Sequence, residues 1–364
     1  MAGNTFGKQF RITTWGESHG KALGVVVDGV PAGLPVSEEE IQRFLDRRKP
    51  GGSRFSTPRK EADAVQILSG VFEGRATGTP ISLLIPNTSQ RSSDYGEIAS
   101  YYRPGHADYT YDAKYGFRDY RGGGRSSGRE TAGRVAAGAI ASLLLKQLGI
   151  RVCAYTKSIG PVACEGFCEE EIARNPLCMP DADAASRAEG FLEECMKQSD
   201  SAGGVVECFA DGVPAGLGDP VFDKLDAALA GAVMSIGAVK AVEIGDGTAA
   251  ALARGSESND PFRMEDGSVK KASNHAGGIL GGISDGSRIL LRAHIKPTPS
   301  IFSEQQTVNR NGEDISIRIR GRHDPVIVPR AVVVVEAMTA LVLADALLSN
   351  MTARLDGIKN FYRV

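Results

Sequence analysis

The chain has 364 residues, 42% of them apolar and 24% charged, which is the balance of a globular protein with ample core. A formal net charge of -2 gives no overall field for nucleic acid or an anionic membrane, so any anion must be held by local clusters. The six cysteines (Cys153, Cys164, Cys168, Cys178, Cys195 and Cys208) lack paired short spacings and nearby histidines, which argues against a metal site and for reduced thiols. The opening MAGNTFGKQF shows no apolar or basic amphipathic presequence, so a cytoplasmic location is expected.

In chain order, WGESHG at 15–20 carries Ser18 and His19 in a glycine-bearing loop. The apolar GVVVDGV that follows reads as a strand. It runs into DGVPAGL at 28–34, and Ser37 with Glu40 is spaced as a capping box opening a helix. DGVPAGL recurs at 211–217, again after an apolar stretch and before a helical pattern, DPVFDKLDAALAGAVM. Each half later has a long helix that is apolar on nearly every side, at about 130–148 and about 330–349. An offset of half the chain, with order and spacing kept, points to internal duplication. The alternative is one favourable strand–turn–helix phrase used twice. The chain is expected to be one domain over 1–364, with pseudo-repeats at about 1–180 and 181–364.

All-round apolar helices must be covered on both sides, and the strands cluster between helices without alternating one for one. The expected class is α+β, a β-α-β sandwich with long buried helices between antiparallel sheets. The apolar run AVVVVEAMTALVLADALL contains Glu336 and Asp345, so it is a core helix and not a membrane span. RILLRAHIK reads as another strand, with His294 a structural residue in it. Three long polar loops are expected, at 47–60, 87–129 and 302–325, and loops of that length are usually functional.

The segment RDYRGGGRSSGRET, 118–131, puts Arg118, Arg121, Arg125 and Arg129 around three glycines and two serines at the mouth of a helix. Ser126 or Ser127 can cap that helix, and its first amides then face the loop. Helix N-termini and planar arginines bind phosphate and carboxylate, so the segment reads as an anion loop. It is neither a Walker A loop nor a G-x-G-x-x-G fingerprint. A glycine-rich turn with surface arginines is the bland alternative. An RGG-type RNA segment is disfavoured by the core-like flanks.

Four of the five histidines fall in polar loop strings: His19, His106 in YRPGHADY, His275 in SNHAGGILGGI and His323 in GRHDP. No short metal spacing joins them, so acid–base work or phosphate contact fits better. Asp324 is either a base held near a cation or a turn residue before Pro325. KPTPS, 296–300, can form a rigid loop for a ring or phosphate. Arg47, Arg48 and Arg54 form a basic cluster in RRKPGGSR that is equally readable as a solvated surface loop. From the residues alone, the chain is an enzyme with an Arg-, His- and Gly-rich site for a polyanionic small molecule.

The strings WGESHG, RPGHADYTYDAKYGFRDYRGGGRSSGRETAGRVAAGAIA, SNHAGGILGGIS and GRHDP, in that order across essentially the whole chain, resemble the chorismate synthase family. The resemblance implies conversion of 5-enolpyruvylshikimate-3-phosphate to chorismate and phosphate by 1,4-anti elimination. It also implies reduced FMN as cofactor without net redox change, a homotetramer, and no nucleic-acid or membrane partner. His19, with Ser18 beside it, would act on the departing phosphate. His106 would sit by the flavin and supply a proton, and Asp324 would help to remove the ring proton. Arg48, Arg54 and Arg129 would hold the substrate, or NADP. FMN would be bound by Arg125, Ser126, Ser127, Gly237, Ala238, Gly281, Lys296, Pro297, Thr298, Pro299, Ser300 and Arg322. One departure is Gly237-Ala238, where the family often has Asn-Ala. NADPH is one possible source of the flavin's electrons; an external flavin reductase is favoured, since 364 residues leave no room for a reductase domain.

Overall fold

In the structure, a computed structural model, the described residues are 3–51, 54–56, 61–88, 97–319 and 324–363. Strands β1 (Thr5–Phe6), β2 (Arg11–Trp15), β3 (Ala22–Asp28), β4 (Gln66–Ile67) and β7 (Ile81–Pro86) form one antiparallel sheet, ordered β1-β2-β3-β7-β4. Strands β5 (Val71–Phe72) and β6 (Arg75–Ala76) make a small hairpin beside it. The second antiparallel sheet contains β8 (Arg151–Ile159), β9 (Val162–Ala163), β10 (Gly204–Asp211), β11 (Val239–Ile244) and β16 (Ile289–Ile295), ordered β11-β16-β10-β8-β9. Period-two burial decides which face turns inward: Leu23, Val25 and Val27 on β3, Ile81, Leu83 and Ile85 on β7, and Ile289, Leu291 and Ala293 on β16.

Helices α1 (Glu38–Arg48), α3 (Thr131–Gln147), α5 (Leu225–Met234) and α7 (Val328–Asn350) fill the space between the sheets. Helix α3 packs on β2, β3 and β7, α7 packs on β8 and β10, and α3 and α7 lie against each other. This is the sandwich expected of an α+β chain. α7 is long and apolar enough to cross a membrane, yet every residue from Ala331 to Ala344 is buried inside the protein. The two core helices meet at Gly138, where an added Cβ would overlap Ala337, so only glycine permits the approach. Glu336, buried in α7, accepts both Arg47 guanidinium nitrogens (2.7 and 2.8 Å) and the Ala154 amide (3.2 Å). That charge therefore sits paired in the core and clips α1 and β8 to α7.

Ser37 caps α1 by accepting from the Glu40 amide at 3.3 Å, as the capping pattern predicts. Both DGVPAGL copies end a strand on Asp, at Asp28 and Asp211, and turn on a following glycine in the left-handed region, Gly29 at +85° and Gly212 at +76°.

The remaining helices are α2 (Asp108–Tyr115), α4 (Ala182–Lys197), which adds Ala184, Ala185, Ala188 and Leu192 to the buried core, α6 (Gly255–Ser258) and α8 (Leu355–Tyr362). Three hairpins complete the described chain: β12–β13 (Phe262–Glu265, Ser268–Lys271), β14–β15 (Ile279–Leu280, Ile283–Ser284) and β17–β18 (Gln305–Val308, Asp314–Ile317). Two of the expected long loops thus carry structure of their own: α2 lies within 87–129 and β17–β18 within 302–325.

Candidate active site

The hairpin loop between β2 and β3 carries Ser18 and His19, both buried. The Ser18 hydroxyl lies 3.3 Å from His19 Nδ1 and within 3.3 Å of the carbonyls of Arg121 and Gly122. Gly122, Gly123 and Gly124 all take positive φ, at 65°, 83° and 54°. A Cβ on Gly122 would overlap the His19 ring, which is why this position needs bare backbone. A Cβ on Gly123 would stand 4.0 Å from Arg103 Nη2. Arg103 is itself fixed by Asp108, with Nε and Nη2 each 2.8 Å from a carboxylate oxygen. The glycine run therefore wedges between the His19 loop and the loop of Arg103 and His106.

The His106 loop in turn rests on 296–300. Lys296 Nζ donates to the Gly105 carbonyl at 2.8 Å, and the Lys296 amide donates to Ala238 O at 3.0 Å. Ala238 holds a left-handed φ of 74°, and Gly237 beside it has open space where a side chain would extend. Burial, reinforced by Arg103, lowers the His106 pKa from the ordinary 6.5 to about 4. The ring is then neutral near pH 7. Nδ1 lies 2.9 Å from the Pro104 carbonyl, which can only accept, so the proton is on Nδ1. Nε2 accepts from the Ser300 hydroxyl at 2.9 Å. Thr298 Oγ1 is buried with no hydrogen-bond partner among the described residues.

Behind the His19 loop two arginines converge on Asp63, a buried residue with φ of 48°. Arg48 donates to Oδ2 from Nε at 3.1 Å and from Nη2 at 2.5 Å, and Arg129 Nη1 donates to Oδ1. Arg129 Nη2 also pairs with Glu61 at 2.8 Å. Burial alone would raise the Asp63 carboxyl, but the two arginines outweigh it and hold it below the ordinary carboxylate range. Arg330 extends the group: Nε donates to the Arg48 carbonyl at 3.2 Å and Nη1 to Asp324 Oδ2 at 2.7 Å. Asp324 is thus held by a cation. A cavity of about 650 Å³ on the other side of α1, lined by Arg47, Phe55, Cys153 and Cys178, touches this cluster through Arg330.

Not every expected residue joins the assembly. Arg54 is exposed and pairs with Glu189 (2.7 Å) and Glu193 (2.9 Å) of α4. Gly281 turns the β14–β15 hairpin beside the first residue of α5, whereas Gly237 and Ala238 follow the last turn of that helix, about 15 Å away at 1.5 Å per residue. Arg322 and His323 lie outside the described residues. His275 bonds Asp246 at 2.7 Å, and His294 on β16 lies 3.4 Å from Glu243.

The anion loop is also wound differently from expectation. Ser127 caps a short 3-10 turn, Gly128–Glu130, and α3 starts after it at Thr131. Ser126 bonds back to the Gly123 carbonyl at 2.7 Å, and Arg125 Nη2 bonds the Thr14 hydroxyl at 2.7 Å. Asp63, Glu61, Asn87, Arg103 and Arg330 are the participants that sequence reasoning missed. The first three sit in no recognisable string and gain meaning only from the arginines that reach them.

The family model for chorismate synthase matches residues 10–348. The chain belongs to the chorismate synthase family. It is 65% identical over 366 residues to the chorismate synthase of Lachnoclostridium phytofermentans, covering 100% of both chains. It is 59% identical to that of Methanosarcina mazei, over 96% of this chain and 97% of the relative. A crystal structure of chorismate synthase superposes with a TM-score of 0.76 at 33% identity, covering 98% of this chain and 97% of the other. Chorismate synthase activity is that of a lyase in aromatic amino-acid biosynthesis.

Proposed function

We propose that this chain converts 5-enolpyruvylshikimate-3-phosphate to chorismate and phosphate by 1,4-anti elimination, with reduced FMN as its cofactor. The observation that carries the reading is one unbroken run of contacts from Asp324 through Arg330, Arg48, Asp63 and Arg129 to the His19 loop. It links the Asp324 carboxylate, two arginines and the turn of the buried His19, which supports reading them as one site.

In this reading Arg48 and Arg129 bind substrate phosphate and carboxylate, exchanging Asp63 for the ligand, and Arg54 swings from α4 to join them. Planar arginines suit such anions and stabilise charge that grows on the leaving phosphate. His19 and Ser18 contact that phosphate. Asp324, held as an acceptor by Arg330, takes the ring proton. His106 is neutral, with its one proton bonded to Pro104 and Nε2 accepting from Ser300, so it supplies a proton only after Nε2 has first taken one up.

The residues fit a flavin. Thr298 Oγ1 is buried and unsatisfied, Gly237 leaves open space, and Lys296 and Ser300 lie beside His106. Arg125, Ser126, Ser127, Gly237, Ala238, Lys296–Ser300 and Arg322 would hold FMN. The chemistry it supplies when bound is transient electron donation as the C–O bond to phosphate breaks. The chain is read as a homotetramer, and Gly281 as a further FMN contact. The enzyme is read as cytoplasmic, with electrons from an external flavin reductase or from NADPH. Its halves, about 1–180 and 181–364, are read as one duplicated unit.

The test is an anaerobic assay with chemically reduced FMN, following chorismate and phosphate together. Equal release that stops without flavin supports the reading. No release from folded, flavin-loaded protein overturns it. Replacing the chemical reductant with NADPH alone decides whether the chain reduces its own flavin.

A further inference from the structure

Asn87 directly follows β7, whose Pro86 pairs with Ala22 of β3, so its backbone is anchored to the first sheet. Its amide donates to the Lys21 carbonyl at 3.1 Å. Its side chain bonds in two directions. Nδ2 donates to the Glu17 carbonyl at 3.1 Å and to the Gly20 carbonyl at 2.9 Å. Oδ1 accepts from Arg129 Nε at 2.9 Å. Carbonyls only accept and a guanidinium only donates, so the partners fix which end of the amide is which. Glu17 and Gly20 are the ends of the turn that displays Ser18 and His19, closed by its own Gly20 amide to Glu17 carbonyl bond at 3.0 Å.

We propose that Asn87 is a positioning residue, fixing the His19 turn and the Arg129 guanidinium to one rigid point at the end of β7. The inference rests on the roles given above to His19 and Arg129. Neither an aspartate nor an alanine does the same. A carboxylate keeps the acceptor for Arg129 but turns lone pairs toward two carbonyls and repels the turn. An alanine loses both arms. Supporting groups of this kind hold reacting residues within the small tolerance that turnover needs.

The two arms can be read separately in steady-state kinetics of the reduced-flavin assay. Asn87→Asp is expected to lose about 10- to 100-fold in kcat with KM within about twofold of wild type, because only the His19 arm is broken. Asn87→Ala is expected to lose kcat similarly and also to raise KM about fivefold or more, because Arg129 Nε loses its anchor as well. In a His19→Ala background, Asn87→Asp should cost less than about threefold more. A merely structural role would lower kcat in both variants through the folded fraction, leave KM unchanged and add fully to His19→Ala. That pattern, or wild-type kcat in Asn87→Asp, overturns the proposal. If the aspartate prevents folding, Asn87→Ala decides alone: its KM rise must vanish in an Arg129→Ala background, and an additive rise overturns the proposal. Wild-type turnover in His19→Ala would instead overturn the role of His19, and with it the loop arm, leaving the Arg129 arm to stand or fall on KM.

Discussion

Asp63 and Arg48 form an ion pair closed to solvent, with Nη2 2.5 Å from Oδ2 and side-chain exposures of 2% for the arginine and 0% for the aspartate. Removing one partner of a buried pair strands the other charge. Asp63→Ala should therefore destabilise the chain by about 3–5 kcal/mol, read by urea unfolding. A loss under about 1 kcal/mol would show that Arg48 and Arg129 have other partners ready.

Gly122→Ala meets two obstacles, a φ of 65° and the His19 ring. Gly116, the C-cap of α2, has a φ of 79° but open space around it. Gly116→Ala should cost about 1 kcal/mol and leave turnover intact, while Gly122→Ala should lose turnover about tenfold or more. Equal turnover in the two variants would remove the glycine run from the site.

The pH dependence of folding should carry the mark of His106. Burial and Arg103 lower its native pKa to about 4, against an ordinary 6.5. Between those values the unfolded chain holds the proton and the native chain does not, so native stability rises with pH across the window. Acidification from 6.5 to 4 should remove up to about 3 kcal/mol through this group, and His106→Gln should flatten that slope. Chemical denaturation at several pH values for both proteins checks it; parallel curves would refute it.

Arg54 is 60% exposed and, among the described residues, contacts Glu189 and Glu193 of α4 and the Phe55 ring. Its surface pairs are worth under about 1 kcal/mol, so Arg54→Ala should leave thermal unfolding unchanged. If it joins Arg48 on the substrate, KM should rise about tenfold at similar kcat. An unchanged KM would confine it to the surface.

The sandwich was readable because its signals are local. GVVVDGV and RILLRAHIK are apolar strand strings, and α7 is apolar on nearly every side. The His19, His106 and glycine strings were readable because loop residues of those types rarely cluster without use. Asp63 was not, since a carboxylate in the polar stretch KEADAV looks like any solvated acid until Arg48 and Arg129 arrive from 15 and 66 residues away in sequence. Helix α2 was hidden for a different reason. DYTYDAKY shows no apolar stripe, and the helix is secured by ion pairs such as Arg118 with Asp112, 2.8 Å apart. The start of α3 at Thr131 lies one residue from the expected 130, but Ser127 caps a 3-10 turn ahead of it, because a 3-10 turn and an α-helix call for the same capping serine.

Arg48 and Arg129 face Asp63 and Glu61, so two positive charges already meet two negative ones. Little field escapes such a closed set. An anionic substrate is then not drawn in from a distance, and its association rate should respond only weakly to ionic strength. What the site offers is ion exchange at close range: the anion gains its arginines as the protein's own carboxylates give them up.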